Sequence, residues 1–250
     1  MSAPKAPVAI VTAAILVIGD EILSGRTKDK NIGYIAEYLT GLGIELREVR
    51  IVPDKREIVV ATMNVLRGAY TYLFTTGGIG PTHDDITADC VAEAFGVAID
   101  EDERALEMLR ERYLPADLNE GRRRMARIPH GASLINNPIS KAPGFQIQNV
   151  IVMAGVPHIM QVMLDDVAPR LKTGQKILVA TVDCGKITEG LYTTQLSQIA
   201  SEHQHVSIGS YPSFHQGGFR SQIVIRGKGE TCVHAARLDV EKMLKDIQVS

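Results

Sequence analysis

A buried strand followed by a glycine-rich turn and an acidic pair most restricts the fold of this chain. The aromatic and β-branched run Tyr70–Thr76 predicts a buried strand. Gly77, Gly78 and Gly80 come next, where glycine allows positive φ and close approach of a ligand to the main chain. A strand, a bare turn and a helix start are typical of sites that hold phosphate on backbone N–H groups. The stretch therefore predicts a phosphate-binding loop.

Asp84 and Asp85 follow this turn and complicate its interpretation. Two carboxylates repel a bare phosphate, whereas a divalent cation between carboxylates and phosphate oxygens removes the conflict. A plainer reading is that both aspartates only stabilise the N-terminus of the next helix. The turn is not a Walker loop, because no Lys-Ser/Thr pair follows the glycines. We predict a divalent metal site, for magnesium or a transition metal.

Strands and helices alternate through the first half of the chain. Continuous apolar strands point to burial on both faces, as in a parallel sheet. This alternation predicts a three-layer αβα sandwich in the α/β class, in which ligands collect beyond the carboxyl ends of the strands. The loops Gly19–Glu21, Pro53–Asp54 and Gly77–Asp85 should then converge. The predicted strands are 14–18, 44–52 and 70–76, and the predicted helices are 31–42, 55–67 and 87–95.

The second half divides near residues 172–174. We predict a flexible extension over 1–12, a main domain over 13–172 and a small α+β module over 175–250. In the module, Ser213–Gly218 is predicted as a loop between two strands. Before the boundary we predict helices 100–113, 119–127 and 157–171 and strands 133–136, 144–148 and 150–154, with a tight turn at Gln148-Asn149. After it the predicted order is strand 176–183, helix 188–202, strands 206–211 and 219–226, and helix 230–245.

Composition excludes several classes of function. The 250 residues carry a net charge of −2, so no basic field for nucleic acid is expected. Three scattered cysteines, Cys90, Cys184 and Cys232, predict a reducing compartment. The apolar run Val8–Gly19 is too short to span a membrane. We expect a cytoplasmic protein without a membrane partner.

Several other polar residues have two open interpretations. Asp20 and Glu21 either bind a metal or ligand hydroxyls, or lie in a solvated loop. Asn31 either caps a helix or contacts a ligand, and Lys141 either meets a phosphate or is a surface cation. The run Arg122–Arg124 either steers an anionic substrate or forms a solvated helix face.

These residues also resemble a known superfamily. The motifs Gly19–Gly25, Pro53-Asp54 and Gly77–Thr87 resemble the molybdopterin-binding fold, with Asn31 and Gly155–Pro157 extending the match. Within it, the chain looks like the N-terminal domain of the competence/damage-inducible CinA proteins. Ile79, Pro81 and Asp84 match the CinA-like version of the loop rather than that of the cofactor-biosynthesis branch. The amidohydrolase domain of long CinA proteins has no counterpart here, so deamidase activity is not expected.

The resemblance implies an αβα sandwich, often a homo-oligomer, that binds a phosphorylated small molecule over the Gly-Gly loop. It also implies a metal-dependent nucleotide pyrophosphatase that cleaves ADP-ribose or FAD. The alternative is a molybdopterin-binding protein that binds or adenylylates its ligand without hydrolysis. The residues expected to act in catalysis are Asp84 and Asp85, with Asp54 joining them as metal ligands. The residues expected to bind the ligand are Gly19, Asp20, Glu21, Asn31, Gly77, Gly78, Gly80, Pro81, Thr82, Thr87, Lys141 and Gly155.

Overall fold

The computed structural model describes residues 10–215 and 218–249 of the chain. The chain divides after Gly174 into two compact units, which are described separately. Most of the predicted N-terminal extension, residues 1–9, lies outside the described residues, as do Gln216 and Gly217 of the predicted loop. Val11 is buried and Thr12 already belongs to the first strand, so ordered structure begins earlier than residue 13.

The first unit is built on a six-stranded sheet in the order β2-β1-β3-β8-β7-β6. Neighbours among β2, β1, β3 and β8 run parallel, and β7 and β6 add to them antiparallel. The prediction of a mostly parallel sheet is confirmed. The strands of this unit are β1 (Thr12–Ile18), β2 (Glu45–Val52), β3 (Tyr72–Thr76), β4 (Ile99–Glu101), β5 (Arg127–Pro129), β6 (Ser133–Ile135), β7 (Gly144–Ile147) and β8 (Val150–Met153).

Helices cover both faces of this sheet because each central strand alternates its side chains between two apolar layers. In β1, Ala14, Leu16 and Ile18 pack into one cluster, and Ala13, Ile15 and Val17 pack into the other. The three-layer αβα sandwich is thereby confirmed. The helices of this unit are α1 (Asp20–Leu23), α2 (Asn31–Gly41), α3 (Arg56–Ala69), α4 (Thr87–Phe95), α5 (Glu103–Arg110), α6 (Glu120–Arg124) and α7 (Pro157–Val167).

Three predicted helices of this unit are shorter than expected, and the one predicted over 157–171 ends at Val167, before the 3-10 turn Ala168–Arg170. The helix predicted over 100–113 begins only at Glu103, because the Asp102 side chain accepts a hydrogen bond from the Arg104 amide and caps it. Residues 99–101 instead form β4, which pairs antiparallel with β5. The helix predicted over 119–127 ends at Arg124, because Arg127 already belongs to β5.

The second unit is a three-stranded antiparallel sheet with two helices, so the small α+β module is confirmed. Its strands lie in the order β10-β11-β9. The predicted loop Ser213–Gly218 is wrong at both of its ends, because strand pairing continues to His215 and resumes at Gly218. Phe214 and Phe219 face each other across the strands with ring centroids 5.4 Å apart. The elements are β9 (Leu178–Gly185), α8 (Thr193–Glu202), β10 (Val206–His215), β11 (Gly218–Gly227) and α9 (Glu230–Val249).

Candidate functional site

A cleft of about 470 Å³ opens at the carboxyl ends of β1, β3 and β8. This is the edge of a parallel sheet where α/β proteins bind ligands. The predicted site residues that line it come from all three strand ends. They are Glu21, Gly77, Gly78, Gly80, Asp85 and Gly155.

The glycine loop is fastened at its base. The Gly77 amide donates to Met153 O at 3.3 Å, and the Thr87 hydroxyl donates to Gly77 O at 2.9 Å. The Thr87 amide also donates to Gly78 O at 2.9 Å. Gly77 and Gly78 have φ values of 99° and 67°, and a Cβ on Gly78 would overlap the Thr87 hydroxyl. Only glycine fits here, and Thr87 serves to hold the loop.

Above this base, the loop presents unpaired donors. Within residues 10–215 and 218–249, the amides of Gly78, Ile79 and Gly80 donate to no protein acceptor. The first turn of α7 borders the same cleft through Gly155, Val156 and Pro157. A Cβ on Gly155 would lie 3.3 Å from Gly77 Cα, so the two segments approach through bare main chain. Loop amides and a helix N-terminus on one cleft are suited to an anion.

Carboxylates gather beside these donors. The Asp20 amide donates to Asp54 Oδ2 at 2.8 Å, which joins the end of β1 to the end of β2. Burial raises the pKa of Asp54 above its ordinary value; the hydrogen bond from the Asp20 amide lowers it in part, and the charges of Asp20, Glu21 and Asp84 raise it further. The carboxylates of Asp20, Glu21 and Asp84 are therefore close enough to act on Asp54. The predicted convergence of the three strand-end loops is observed.

Asp84 and Asp85 are neighbours in sequence with different environments. Asp84 is exposed, and the adjacent Thr82 hydroxyl, followed by the backbone N–H of Asp84 itself, lowers the pKa of its carboxyl. Asp85 Oδ2 accepts from both the amide and the hydroxyl of Thr82, at 2.8 and 2.6 Å. A Cβ on Gly80 would lie 2.6 Å from that same oxygen. Asp85 closes the loop, whereas the Asp84 carboxylate is exposed to solvent.

The donor set fits a divalent cation only in part. No three His, Cys, Asp or Glu side chains of the described residues form a ready-made metal site. Magnesium, however, commonly uses one or two protein carboxylates and takes its remaining ligands from water and substrate phosphates. Asp54, whose pKa is raised in part by the charge of Asp84, suits that arrangement together with Asp84.

The remaining predicted residues differ in position. Asn31 is 4% exposed and donates from Nδ2 to Gly155 O at 2.8 Å, so it braces the first turn of α7. Lys141 forms an ion pair with Glu111 and does not line the cleft, although its neighbours Ser140 and Ala142 do. Gly19 lies against the Glu21 carboxylate, which would have to move to admit a Cβ there. Pro81 is exposed on the outer side of the loop.

The sequence did not predict the two arginines that support the glycine loop. Arg127 binds Asp89 of α4 through two hydrogen bonds of 2.9 and 2.6 Å. Arg124, interpreted as part of a solvated helix face, donates to Asp85 O at 3.2 Å and to Asp89 at 3.4 Å. The side chains of Arg124 and Arg127 are 31% and 29% exposed, respectively. No periodic signal joins residues so far apart in sequence.

No helix of the described ranges is both long enough and apolar enough to span a bilayer.

Comparisons with known proteins agree with this geometry. A family described as "Probable molybdopterin binding domain" matches residues 14–173, and one described as "FAD synthase, middle domain" matches residues 179–250. The crystal structure of CinA from Thermoplasma acidophilum, described as having unknown function, is 33% identical, with a TM-score of 0.61. It covers 64% of this chain and 98% of its own.

Curated relatives extend the match over both units. A protein of Thermococcus kodakarensis is 35% identical over 80% of this chain and 85% of its own length. A "Probable FAD synthase" of Caenorhabditis elegans is 29% identical over 93% of this chain, and its homologue in Caenorhabditis briggsae is 27% identical over 93%. The chain spans about half the length of these two nematode proteins, 50% and 49%. With the family matched across the whole first unit, the chain belongs to the molybdopterin-binding domain family and carries a CinA-like fold.

Proposed function

We propose that this protein is a metal-dependent nucleotide pyrophosphatase that cleaves a nucleotide diphosphate such as ADP-ribose or FAD. The observation that carries the proposal is that one cleft is lined by the glycine loop with its unpaired amides and by the carboxylates of Glu21 and Asp85, with Asp54 close enough to Glu21 to feel its charge. The amides suit the anionic oxygens of a diphosphate, and the carboxylates suit the cation that such a group brings with it. The match of the second unit to a middle domain of FAD synthases supports a nucleotide ligand.

In this proposal the main chain holds the diphosphate. The amides of Gly78, Ile79 and Gly80 donate to its oxygens from one side, and the N-terminus of α7 faces it from the other. Because Thr87 and Asp85 fix the loop in advance, these donors are preorganised for the negative charge that grows as the bond between the phosphates breaks.

The carboxylates act on the opposite side. A bound divalent ion supplies charge neutralisation and lowers the pKa of water, so that a nucleophile is available near neutral pH. Asp54 and Asp84 would hold such an ion together with the substrate phosphates, and Asp20 and Glu21 would orient water beside it. The exposed Asp84 is the cleanest position to test, because Asp85 also closes the loop.

The decisive experiment measures AMP release from ADP-ribose and from FAD, with magnesium and with a chelator. We expect release that requires the metal and that falls at least about 100-fold in Asp84→Asn, since removing one stabilising group from a catalytic site costs this much. Asp183→Asn, an exposed carboxylate of the second unit, is the matched control and should release AMP at the wild-type rate. Equal turnover in Asp84→Asn and the control would rule out the assignment.

A second candidate is a molybdopterin-binding protein that binds or adenylylates its ligand without hydrolysis. The match of residues 14–173 to the molybdopterin-binding family favours it. The same cleft would serve, with the loop amides on the terminal phosphate of the pterin. Tight pterin binding in calorimetry, together with no AMP release from either nucleotide, would support this candidate over the first.

A further inference from the structure

A smaller chamber of about 60 Å³ lies beside the main cleft. It is enclosed between the ends of β1 and β3 and the start of α2, and it shares Glu21, Gly77 and Gly155 with the cleft. One water needs only about 10–15 Å³ of such volume. The chamber therefore has room for a chemical group larger than a single water, entered from the place where a diphosphate would lie.

Two buried polar atoms of the chamber wall have no partner. Asn31 Oδ1 and Thr76 Oγ1 accept and donate no hydrogen bond within residues 10–215 and 218–249. Asn31 is 4% exposed and Thr76 is 1% exposed. Buried polar atoms are normally satisfied, and leaving one unpaired is costly. Two such atoms on one chamber are available to a ligand that enters it.

The orientation of Asn31 defines what the chamber can accept. Its Nδ2 donates to the carbonyl oxygen of Gly155 at 2.8 Å. Because that oxygen can only accept, the amide nitrogen must face it, and Oδ1 is the atom left for a ligand. The Glu21 carboxylate adds a second acceptor, and the Thr76 hydroxyl can accept or donate. An interior rich in acceptors selects a group that donates hydrogen bonds and disfavours phosphate.

The rim differs from the interior. Lys28 and Lys30 also line the chamber, and both are exposed. Cations at the mouth and acceptors inside match a hydroxyl-bearing group that is carried on a phosphate. A sugar joined to a diphosphate has this arrangement of charge and donors.

We propose that the chamber is a hydroxyl-recognition subsite in which Asn31 and Thr76 bind the hydroxyl groups of a sugar attached to the diphosphate. The inference rests on the proposed binding of a nucleotide diphosphate in the adjoining cleft. It goes further by making Thr76 a specificity-determining residue. In ADP-ribose the sugar is either the ribose of adenosine or the terminal ribose, and the chemistry that recognises them is shared.

Thr75 provides a matched control. Its hydroxyl is also buried and unpaired, but the alternation of β3 places it on the other face of the sheet, away from the chamber. Thr76→Val and Thr75→Val both exchange a hydroxyl for a methyl group of the same shape inside the same strand. Their folding should be affected alike, and only Thr76→Val should alter recognition. Asn31 is a poorer position to test because its amide also holds Gly155.

The experiment is isothermal titration calorimetry with the full chain and three ligands. These are ADP-ribose, its 2′-deoxyadenosine analogue, and the ethyl ester of ADP, in which an ethyl group replaces the terminal ribose. The wild type should bind the analogue that lacks the recognised hydroxyl at least about tenfold more weakly than ADP-ribose. The analogue that loses affinity identifies which ribose enters the chamber.

The variants decide the outcome. Thr76→Val should lose most of this discrimination, because the removed hydroxyl is one of the two groups that detect it, while Thr75→Val should keep it. Equal Kd ratios in the wild type and both variants would overturn the subsite, and so would equal binding of all three ligands by the wild type. Since the readout is binding, discrimination without AMP release would refute hydrolysis alone. Release without discrimination would refute the subsite alone.

Discussion

At the residue scale, the position of Asp54 makes its ionised side chain unfavourable for folding. Burial raises its pKa most, the hydrogen bond from the Asp20 amide partly offsets this rise, and the charges of Asp20, Glu21 and Asp84 add to it. A carboxyl whose pKa is raised on folding favours the folded state while protonated, and that contribution is lost as the pH rises through the folded pKa. At neutral pH the ionised Asp54 therefore opposes folding, in the way that binding sites often trade stability for function.

Asp54→Asn tests this balance. Without added metal, the variant should melt about 1–2 °C above the wild type at pH 7, because a neutral side chain removes the repulsion. The difference should vanish below about pH 4, where the wild-type carboxyl is protonated as well. Thermal melts between pH 3.5 and 8 in a chelating buffer measure it. A lower melting temperature for the variant at pH 7 would show that Asp54 stabilises the fold instead.

At the element scale, the glycine loop is braced from behind by α4, α6 and β5. The Asp89–Arg127 pair is partly buried, with 22% and 29% of the side chains exposed, and it makes two hydrogen bonds. The Arg56–Glu93 pair, also involving α4, is far more exposed, at 59% and 44%. Exposed pairs add little to stability, whereas removing one partner of a buried pair leaves a charge unsatisfied.

The two pairs give a matched comparison. Asp89→Asn should lower stability by about 1–2 kcal/mol, which corresponds to about 2–8 °C in melting temperature. Glu93→Gln should change the melting temperature by less than about 2 °C. Differential scanning calorimetry of the two variants measures both. If the two variants have the same melting temperature, the Asp89–Arg127 pair does not support the loop.

The same elements show what the sequence could predict. The glycine loop and the strand ends were predicted because turn chemistry and strand periodicity are local signals. The β4–β5 pairing and the support of Asp85 by Arg124 were missed, since each joins residues more than 25 positions apart. The separate tasks of Asp84 and Asp85 were also missed, because they depend on where Thr82 points.

At the scale of the whole molecule, the residues that line the candidate site all belong to the first unit. Its glycine loop, its carboxylates and the chamber beside it all lie before Gly174, where the unit ends. That unit has two apolar clusters on the faces of one sheet, and the second unit has a cluster of its own. Each unit therefore has the core that independent folding requires.

A chain of residues 10–174 should then unfold in a single cooperative transition and bind ADP-ribose with a Kd within about threefold of the full chain. The physical reason is that no group proposed to contact the ligand has been removed. Calorimetry of unfolding and of binding tests the two statements separately. Cooperative unfolding with lost binding would show that the second unit contributes to the site.

The unpaired amides of Gly78, Ile79 and Gly80 also determine how fast the loop exchanges its amide hydrogens with solvent. Amides without an acceptor exchange with deuterated water almost as fast as in an unfolded chain, whereas hydrogen-bonded ones wait for local opening. The amides of Gly77 and Thr87, which are bonded to Met153 O and Gly78 O, should be slow in the same spectrum. Bound diphosphate should slow the three fast amides and leave the two slow ones unchanged. Hydrogen–deuterium exchange of these amides, followed by NMR, therefore shows whether a ligand occupies the loop, without any turnover.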